Sequence, residues 1–388
     1  MKIICSGITG MNKRSFLEKL KESTPNFAEK IQVLDLEEIL KEMGNFEDIT
    51  LFLNSYNWQR QKRAWEMAFD QVLDIAKNGE AEHTILCMHL IYFRNSRFFS
   101  TFDLKRLDSF DPDGFLTLID DVYLLRKRID SRSAESAFKT QLRLRDLLAW
   151  RSMETNLAGI LSSYLNKGTG INHYLFPVQQ SASMLHKLLF TENLRLYIAH
   201  PITSTRNDPK LVKEIEDFKE ELENFFVVFD PTTIDERLLN ISLREQFPNW
   251  KEMGRGELAD LVVKADLEKR WPINPQLLLS EKIDDLFPIE IPADEIVEVA
   301  DDVDNLIQER DYRLISQSDA LVAYRPNLNG KLSTGVFSEM QFARDIAFKP
   351  CHMYFPTDDG AQEDTPFKGR GFLYPSTETL VETLKKVR

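Results

Sequence analysis

The feature that most constrains this chain is an alternation of short apolar runs with longer stretches of helical periodicity, and it occurs twice. Lys2–Ser6, Ile31–Leu34, Thr84–Met88 and Phe115–Ile119 read as strands, the apolar ones suited to burial on both faces. Between them lie helical stretches at Lys13–Lys21 and at about Trp58–Lys77, where Trp65, Phe69, Val72 and Ile75 recur at helical spacing. A long helix is expected over about Ser136–Tyr164, with Met153, Leu157, Ile160 and Tyr164 on one face. Strands separated by helices predict parallel βαβ units.

The second series begins at Leu194. Leu196–Ala199 reads as a strand, Pro209–Glu223 as a charged amphipathic helix, and Phe225–Phe229 as a strand closed by Asp230-Pro231. An irregular, acidic, Pro-containing segment follows over about 236–299. Regularity then returns as a helix ending at Ser318, a strand at Ala320–Tyr324 and a helix over about Gly335–Phe348. A strand near Cys351–Phe355 and a terminal helix capped by Ser376 complete the pattern. The expected fold is α/β in two domains, 1–190 and 191–388, the second carrying the 236–299 segment as a long insertion.

A chain of 388 residues suits two or three domains, and 26 Phe among 43% hydrophobic residues supply real cores. No apolar stretch is long enough to span a bilayer, which needs about 18–20 residues, and the N-terminus lacks the pattern of a secretory signal. Three scattered cysteines, Cys5, Cys87 and Cys351, have no metal-type spacing and cannot all pair, so a reducing cytoplasm is expected. The six histidines form no pair at ligand spacing, and no metal is called for. Net charge is −13, from 49 basic and 62 acidic residues, which argues against a nucleic-acid polymer as partner. The acidity is concentrated: Glu281–Asp304 holds ten carboxylates and one base, Lys282, as a solvated insertion or linker would, or else a partner-binding acidic surface.

Gly7-Ile8-Thr9-Gly10-Met11-Asn12-Lys13-Arg14-Ser15 follows the first strand and opens a helix, the setting in which backbone N–H groups cradle phosphates. It resembles the phosphate-binding loop of nucleoside and nucleotide kinases, with two departures. Asn12 replaces the glycine before Lys13, and Arg14 stands where a Mg²⁺-holding hydroxyl belongs, with Ser15 one place late. Asp120-Asp121 closes a strand ahead of Arg126, Arg128 and Arg132, rather as an adenylate kinase strand leads into its arginine-bearing lid. Arginines there would clamp a phosphoryl group by bidentate hydrogen bonds; the alternative is a positive helical face pairing with Asp120, Asp121 and Asp130. The resemblance implies a P-loop kinase-like parallel sheet that binds nucleotide, with ATP and Mg²⁺ as its ligands.

Three segments of the second half resemble the nucleoside 2-deoxyribosyltransferases and the related deoxynucleoside 5′-monophosphate N-glycosidases. They are Leu196-Tyr197-Ile198-Ala199-His200-Pro201, the stretch Arg310–Ala323 in which Asp311 and Asp319 precede a buried strand, and Ser333-Thr334-Gly335-Val336-Phe337-Ser338-Glu339. The resemblance implies a flavodoxin-like, doubly wound sheet whose ligand sits at the carboxyl ends of the strands. It implies Glu339 as nucleophile, Asp311 as acid/base or substrate-positioning group, and Tyr197 as a contact to the sugar or to Glu339. Pro201, Asp230, Asp319, Thr334 and Gly335 would complete the substrate loops, Asp319 more as a brace, and His200 is expected to be structural or solvent-exposed.

Such chemistry needs two acids. Breaking a C1′–N bond passes through an oxocarbenium-like state that one carboxylate traps while a second acid protonates the departing base. Glu339 is expected in the first turn of its helix, where free N–H groups favour the ionised form. The transferases usually carry another carboxylate about six residues before the nucleophile, and Ser333 occupies that place here. The Ser-x-Gly-Val-x-x-Glu pattern matches the monophosphate N-glycosidases instead, and a serine with helix N–H groups seats a 5′-phosphate. Arg206, Arg325 and Lys331 lie in adjacent loops as sources of positive charge.

The expectation is therefore a cytoplasmic enzyme, homo-oligomeric as its relatives are. It would cleave or transfer at the N-glycosidic bond of a (deoxy)nucleotide or nucleoside and be joined to a nucleotide-binding domain. The rivals are a nucleotide-sensing protein without turnover, and a nucleotide kinase with an accessory salvage domain. The Lys385-Lys386-Val387-Arg388 end shows no signature of the chain terminus with which the transferases complete a neighbour's site.

Overall fold

The computed structural model describes residues 1–44, 57–94, 96–100, 102–135, 142–165, 172–253, 270–273, 288–328, 331–356 and 371–387, with 49, 52, 53, 257, 258 and 260 besides. The chain divides into two units. The first comprises Met1–Val178, Asn249–Pro272 and Asp284–Val299, and the second Gln179–Pro248, Ile273–Ile283 and Ala300–Arg388. The division thus falls ahead of Phe190, and pieces of the 236–299 segment belong to the first unit.

The first unit is built on a parallel sheet of five strands, β1 (Lys2–Ser6), β2 (Ile31–Asp35), β3 (His83–Cys87), β4 (Gly114–Ile119) and β5 (Asn172–Pro177), in the order β2-β3-β1-β4-β5. Ile4 of the central strand pairs with Leu86 on one side and Phe115 on the other. All three are buried, as a parallel sheet covered on both faces requires. β5 is absent from the sequence expectation: it is an edge strand that starts on the polar Asn172-His173 and buries only its last residues.

Helix α1 (Lys13–Ser23) buries Phe16, Leu17 and Leu20, α2 (Leu36–Gly44) follows β2, and α3 (Trp58–Asn78) buries Trp65, Phe69 and Val72 as its spacing predicts. The helix expected over Ser136–Tyr164 is α5 (Leu144–Leu165), residues 136–141 lying outside the described residues, and α4 (Val122–Glu135) precedes it as a helix not expected. The face of α5 also differs from expectation. Met153, Ile160 and Tyr164 do share a side, but they are 43%, 64% and 68% exposed, whereas Leu147, Trp150, Glu154, Ala158 and Leu161 face the core.

The second unit repeats the plan with β6 (Arg195–Ala199), β7 (Val227–Phe229), β8 (Ala320–Tyr324), β9 (Cys351–Tyr354) and β10 (Phe372–Tyr374). All are parallel, in the order β10-β9-β8-β6-β7. Tyr197 stands between Leu321 and Phe229 in this sheet and is fully buried. Helix α6 (Pro209–Glu223) is started by Asp208, which accepts from Lys210 N and Leu211 N at 3.1 and 3.2 Å.

The 236–299 segment is not irregular throughout. It includes helix α7 (Arg237–Gln246), a strand pair Arg270–Ile273 with Ile289–Pro292, and the start of the long helix α8 (Ala293–Gln317), which begins before Val299. Residues 261–269 and 274–287 lie outside the described residues, so most of the acidic cluster's first half does too. The chain closes with α9 (Thr334–Asp345) and α10 (Thr377–Leu384), the latter capped by Ser376 as expected. Among the described residues, no helix is long and apolar enough to cross a membrane.

Candidate active site

The strands of the second unit deliver their following loops to one cavity of about 770 Å³. His200, Ile202 and Arg206 reach it after β6, Pro231 and Asp235 after β7, Arg310 and Asp311 from α8, and Ser333 to Glu339 from the start of α9. Carboxyl ends of parallel strands leave a crevice where neighbouring connections turn to opposite faces of the sheet.

Glu339, Asp311, Ser333, Thr334 and Gly335 all line this cavity, and Tyr197 joins them by donating its phenol to Glu339 Oε1 at 3.2 Å. Glu339 Oε2 is buried with no hydrogen-bond partner among the described residues. Asp311 Oδ1 accepts two bonds from Arg310, from Nε at 3.0 Å and Nη2 at 2.8 Å. Arg310 is fixed in turn by the carbonyls of Ile234 at 2.8 Å and Pro231 at 3.3 Å. Its planar fork thereby ties the loop after β7 to Asp311.

Electrostatics make the two acids a coupled pair. Burial first, and the charge of Asp311 next, push Glu339 well above the ordinary carboxylate range, against the weaker pull of Tyr197 and Arg310. Burial also raises Asp311, although Arg310 opposes it. Both carboxyls therefore hold their protons to higher pH than free carboxyls do. Burial and the same two acids hold the Tyr197 phenol well above its usual value, so it stays a donor.

One expectation about Glu339 is corrected. Ser333 is the N-cap and Thr334 the first helical residue, so Glu339 lies in the second turn of α9 and no acidic residue occupies the first. Its carboxyl is governed by burial and Asp311, not by free helix N–H groups. Ser333 Oγ accepts from Val336 N at 3.4 Å, which leaves its own hydroxyl proton to donate. A Cβ added at Gly335 would meet nothing within 4 Å, in keeping with an open cavity wall.

Other predicted residues stand elsewhere. Asp319 does not line the cavity; it accepts from Arg195 N at 2.9 Å and Arg195 Nε at 3.0 Å and braces the start of β6. Asp230 is buried behind the wall, held by Lys219 Nζ at 2.7 Å, and Pro201 starts the short helix Ile202–Thr205. Arg206 lines the cavity but is engaged by Asp235 at 2.6 and 2.9 Å. Arg325 lies outside the cavity lining, 3.4 Å from Glu214, and the side chain of Lys331 is outside the described residues.

Sequence reasoning missed Arg310, although its position beside Asp311 was a signal, and it missed Asp235, whose pairing depends on a loop it does not share with Arg206. His200, expected to be structural or exposed, is 5% exposed and lines the cavity. Tyr312 was also missed: its ring stacks on Phe342 at 3.9 Å and its hydroxyl lies 2.9 Å from Ser338 Oγ.

The glycine loop of the first unit follows β1 and enters α1 at Lys13. Gly7 has φ 151°, and a Cβ there would lie 2.8 Å from the Leu118 carbonyl; Gly10 has φ 85°. Both positions favour glycine for backbone reasons. Asn12 also takes a left-handed conformation, at φ 51°, and serves as the helix N-cap without a side-chain cap bond. Lys13 Nζ donates to Gly7 O at 3.0 Å and lies 3.1 Å from His89 Nε2. Arg14 pairs with Glu38, and Ser15 is exposed.

Two of the three arginines expected as a phosphoryl clamp are committed to carboxylates. Arg126 pairs with Asp130 and with Glu295 at 3.2 Å, Arg128 pairs with the fully buried Asp120, and the side chain of Arg132 lies outside the described residues. Among the described residues, no group of His, Cys, Asp and Glu has the arrangement of a metal site.

Glu154, buried beside this loop, accepts from Leu90 N at 2.8 Å and Ile91 N at 3.0 Å, yet burial outweighs these bonds and raises its pKa to about 7. A carboxyl raised on folding stabilises the protein most below its unfolded pKa of about 4.5, and the contribution is lost as pH rises toward 7. The loss amounts to about 3 kcal/mol. Thermal denaturation from pH 5 to 8 is expected to show a shallower decline in Glu154→Gln than in the wild type, whatever the offset between them. Parallel declines would contradict the assignment.

No family model matches the chain, and no curated protein matches it. Among solved structures, the tunicamycin resistance protein of Deinococcus radiodurans is similar with a TM-score of 0.29 and 14% identity, over 49% of this chain and 95% of that one. A likeness at that level carries no functional argument.

Proposed function

We propose that the second unit cleaves or exchanges the N-glycosidic bond of a nucleotide or nucleoside through a covalent intermediate on Glu339. The observation that carries this reading is the coupled Glu339–Asp311 pair, with Tyr197 bonded to Glu339, in a cavity that also holds Ser333 at the start of the same helix. The strand order supports it: renumbered within the unit it is 2-1-3-4-5, the flavodoxin-like arrangement.

In this mechanism substrate binding moves the proton that burial favours on Glu339 to Asp311, and Glu339, then ionised, attacks C1′ as the C1′–N bond breaks. The base leaves with the proton that Asp311 supplies, and the sugar becomes an ester of Glu339. Water, or a second base in a transfer, then attacks C1′ and gives its proton to Asp311, and the C1′–O bond to Glu339 breaks. The Tyr197 phenol steadies the carboxylate that departs. Ser333 and the first N–H groups of α9 favour a 5′-phosphate over a free hydroxyl.

The first unit is read as a nucleotide-binding domain of P-loop kinase type, on its parallel order β2-β3-β1-β4-β5 and on Lys13 at the head of the helix after the glycine loop. ATP with Mg²⁺ is the proposed ligand. Lys13 bonded back onto Gly7, and arginines committed to carboxylates, favour binding or sensing over phosphoryl transfer. Three buried, unpaired cysteines suit the proposed reducing cytoplasm.

The test is incubation of the protein with ribo- and deoxynucleoside 5′-monophosphates, the corresponding nucleosides and NAD, with and without ATP and Mg²⁺, followed by chromatography. Free base is expected from at least one monophosphate, faster than from its nucleoside. Tight binding of nucleotides with no base released under any condition would overturn the proposal in favour of a sensor. Transfer of label from ATP, lost in Lys13→Ala, would favour the kinase.

A further inference from the structure

His200 follows β6 and lines the cavity, yet the residue is only 5% exposed and both of its ring nitrogens are buried without a hydrogen-bond partner among the described residues. Nε2 stands 3.7 Å from Asp230 Oδ1. Asp230 is itself buried and accepts from Lys219 Nζ at 2.7 Å and from Thr232 N at 2.8 Å. Burial works against its charge, but Lys219 and His200 outweigh that and hold Asp230 far below the ordinary carboxylate range.

An ionised carboxylate can only accept, so the imidazole proton belongs on Nε2, facing Asp230, and Nδ1 is left with a bare lone pair. Burial lowers the His200 pKa against the attraction of Asp230, which keeps the ring neutral. A neutral ring with a carboxylate behind it is a poor seat for phosphate, which has no proton to give. A buried acceptor without a donor is costly, and His200 lines the cavity, where a ligand can bring one.

We infer that His200 is a specificity-determining residue whose Nδ1 accepts a hydrogen bond from a donor group of the substrate, a sugar hydroxyl or an exocyclic amino group. The inference rests on the proposal that this cavity binds a nucleotide or nucleoside. Lys219 and Asp230 act through His200, by fixing which nitrogen carries the proton. A site built to receive such a donor rejects the analogue that lacks it far more strongly than an apolar pocket rejects a lost methylene.

The experiment measures binding to the full chain carrying Glu339→Gln, which blocks turnover, by calorimetry, beside base release by the wild type. The probes are matched pairs of 5′-monophosphates: ribo against 2′-deoxy and 3′-deoxy sugars, and adenine against hypoxanthine or cytosine against uracil. One pair is expected to differ by about 10- to 100-fold. His200→Phe should reduce that ratio to about threefold or less, and His200→Gln, which keeps a carbonyl acceptor, should restore part of it. The sugar pairs and the base pairs tell hydroxyl from amino donor.

Equal binding within every pair, or a His200→Phe variant that weakens all members by one factor, would overturn the inference. Discrimination through His200 with no base release by the wild type would leave it standing while removing the glycosidase reading. Base release without discrimination would do the reverse, and no binding of any probe would remove both.

Discussion

Glu339→Gln is expected to lower base release by roughly 10³-fold or more, with the protein folded and its substrate affinity largely kept. The substitution preserves shape, and Gln still accepts the Tyr197 hydroxyl that now sits 3.2 Å from Oε1. What it removes is the ionisable oxygen that would bond C1′. Steady-state rates on the monophosphate that the wild type cleaves fastest, with equilibrium binding beside them, separate the two effects. A loss confined to affinity would reduce Glu339 to a binding group.

The same variant should be more heat-stable than the wild type above neutral pH. Glu339 and Asp311 both have folded pKa values raised above their unfolded ones. Their contribution to stability is therefore full below the unfolded values and lost as pH rises through the folded ones. Removing one carboxyl removes the like-charge term between them, so the melting temperature of Glu339→Gln falls less with rising pH. Lost activity with gained stability is the expected mark of a functional acid held where folding disfavours it.

The second large effect is on the pH–rate profile. In the proposed mechanism the working form has Glu339 ionised and Asp311 protonated, so the rate should fall on the acid side as Glu339 takes up a proton and on the alkaline side as Asp311 loses its own. Because burial and mutual charge raise the pair, the alkaline limb should lie above the ordinary carboxylate range. Asp311→Asn removes the proton donor. The alkaline limb should then vanish and the rate should drop by about 10²–10⁴-fold. A 7-methylated purine, whose base departs without being protonated, should recover much of that loss. An unchanged profile, or equal loss on both substrates, would take the acid role from Asp311.

Much of this arrangement was legible in the sequence, and what was not has identifiable causes. Continuous apolar runs such as Ile3-Ile4-Cys5 and Ala320–Tyr324 mark strands covered on both faces, and they were read correctly; the half-buried edge strand β5 carries no such run. On α5 the apolar residues Met153, Ile160 and Tyr164 pointed to a core face, but the buried side is the one with Trp150 and the buried acid Glu154, a pattern that periodicity cannot rank. Tyr197, Asp311 and Glu339 each lie in a short local motif, and the fold brings Asp311 and Glu339 to one cavity with Tyr197 bonded to Glu339.

Long-range ion pairs were illegible for the opposite reason. Arg126, a phosphate-ligand candidate by its local setting, is paired with Glu295, 169 residues later, and Arg206, a source of positive charge by its loop, is paired with Asp235. Asp319, expected more as a brace than as a substrate contact, is held by Arg195, 124 residues earlier. Local sequence proposes a charge; only the fold says whether it is already spent.

The central claim is a covalent bond between Glu339 and the sugar, and one measurement addresses it directly. A 5′-monophosphate bearing fluorine at C2′ slows both steps by destabilising the oxocarbenium-like state, and with a good leaving base the intermediate should accumulate. Mass spectrometry of the digested protein is then expected to show the fluorinated sugar phosphate on the peptide that contains Glu339, and on no peptide in Glu339→Gln. Release of base with the sugar attached nowhere, or attached to another residue, would contradict the account.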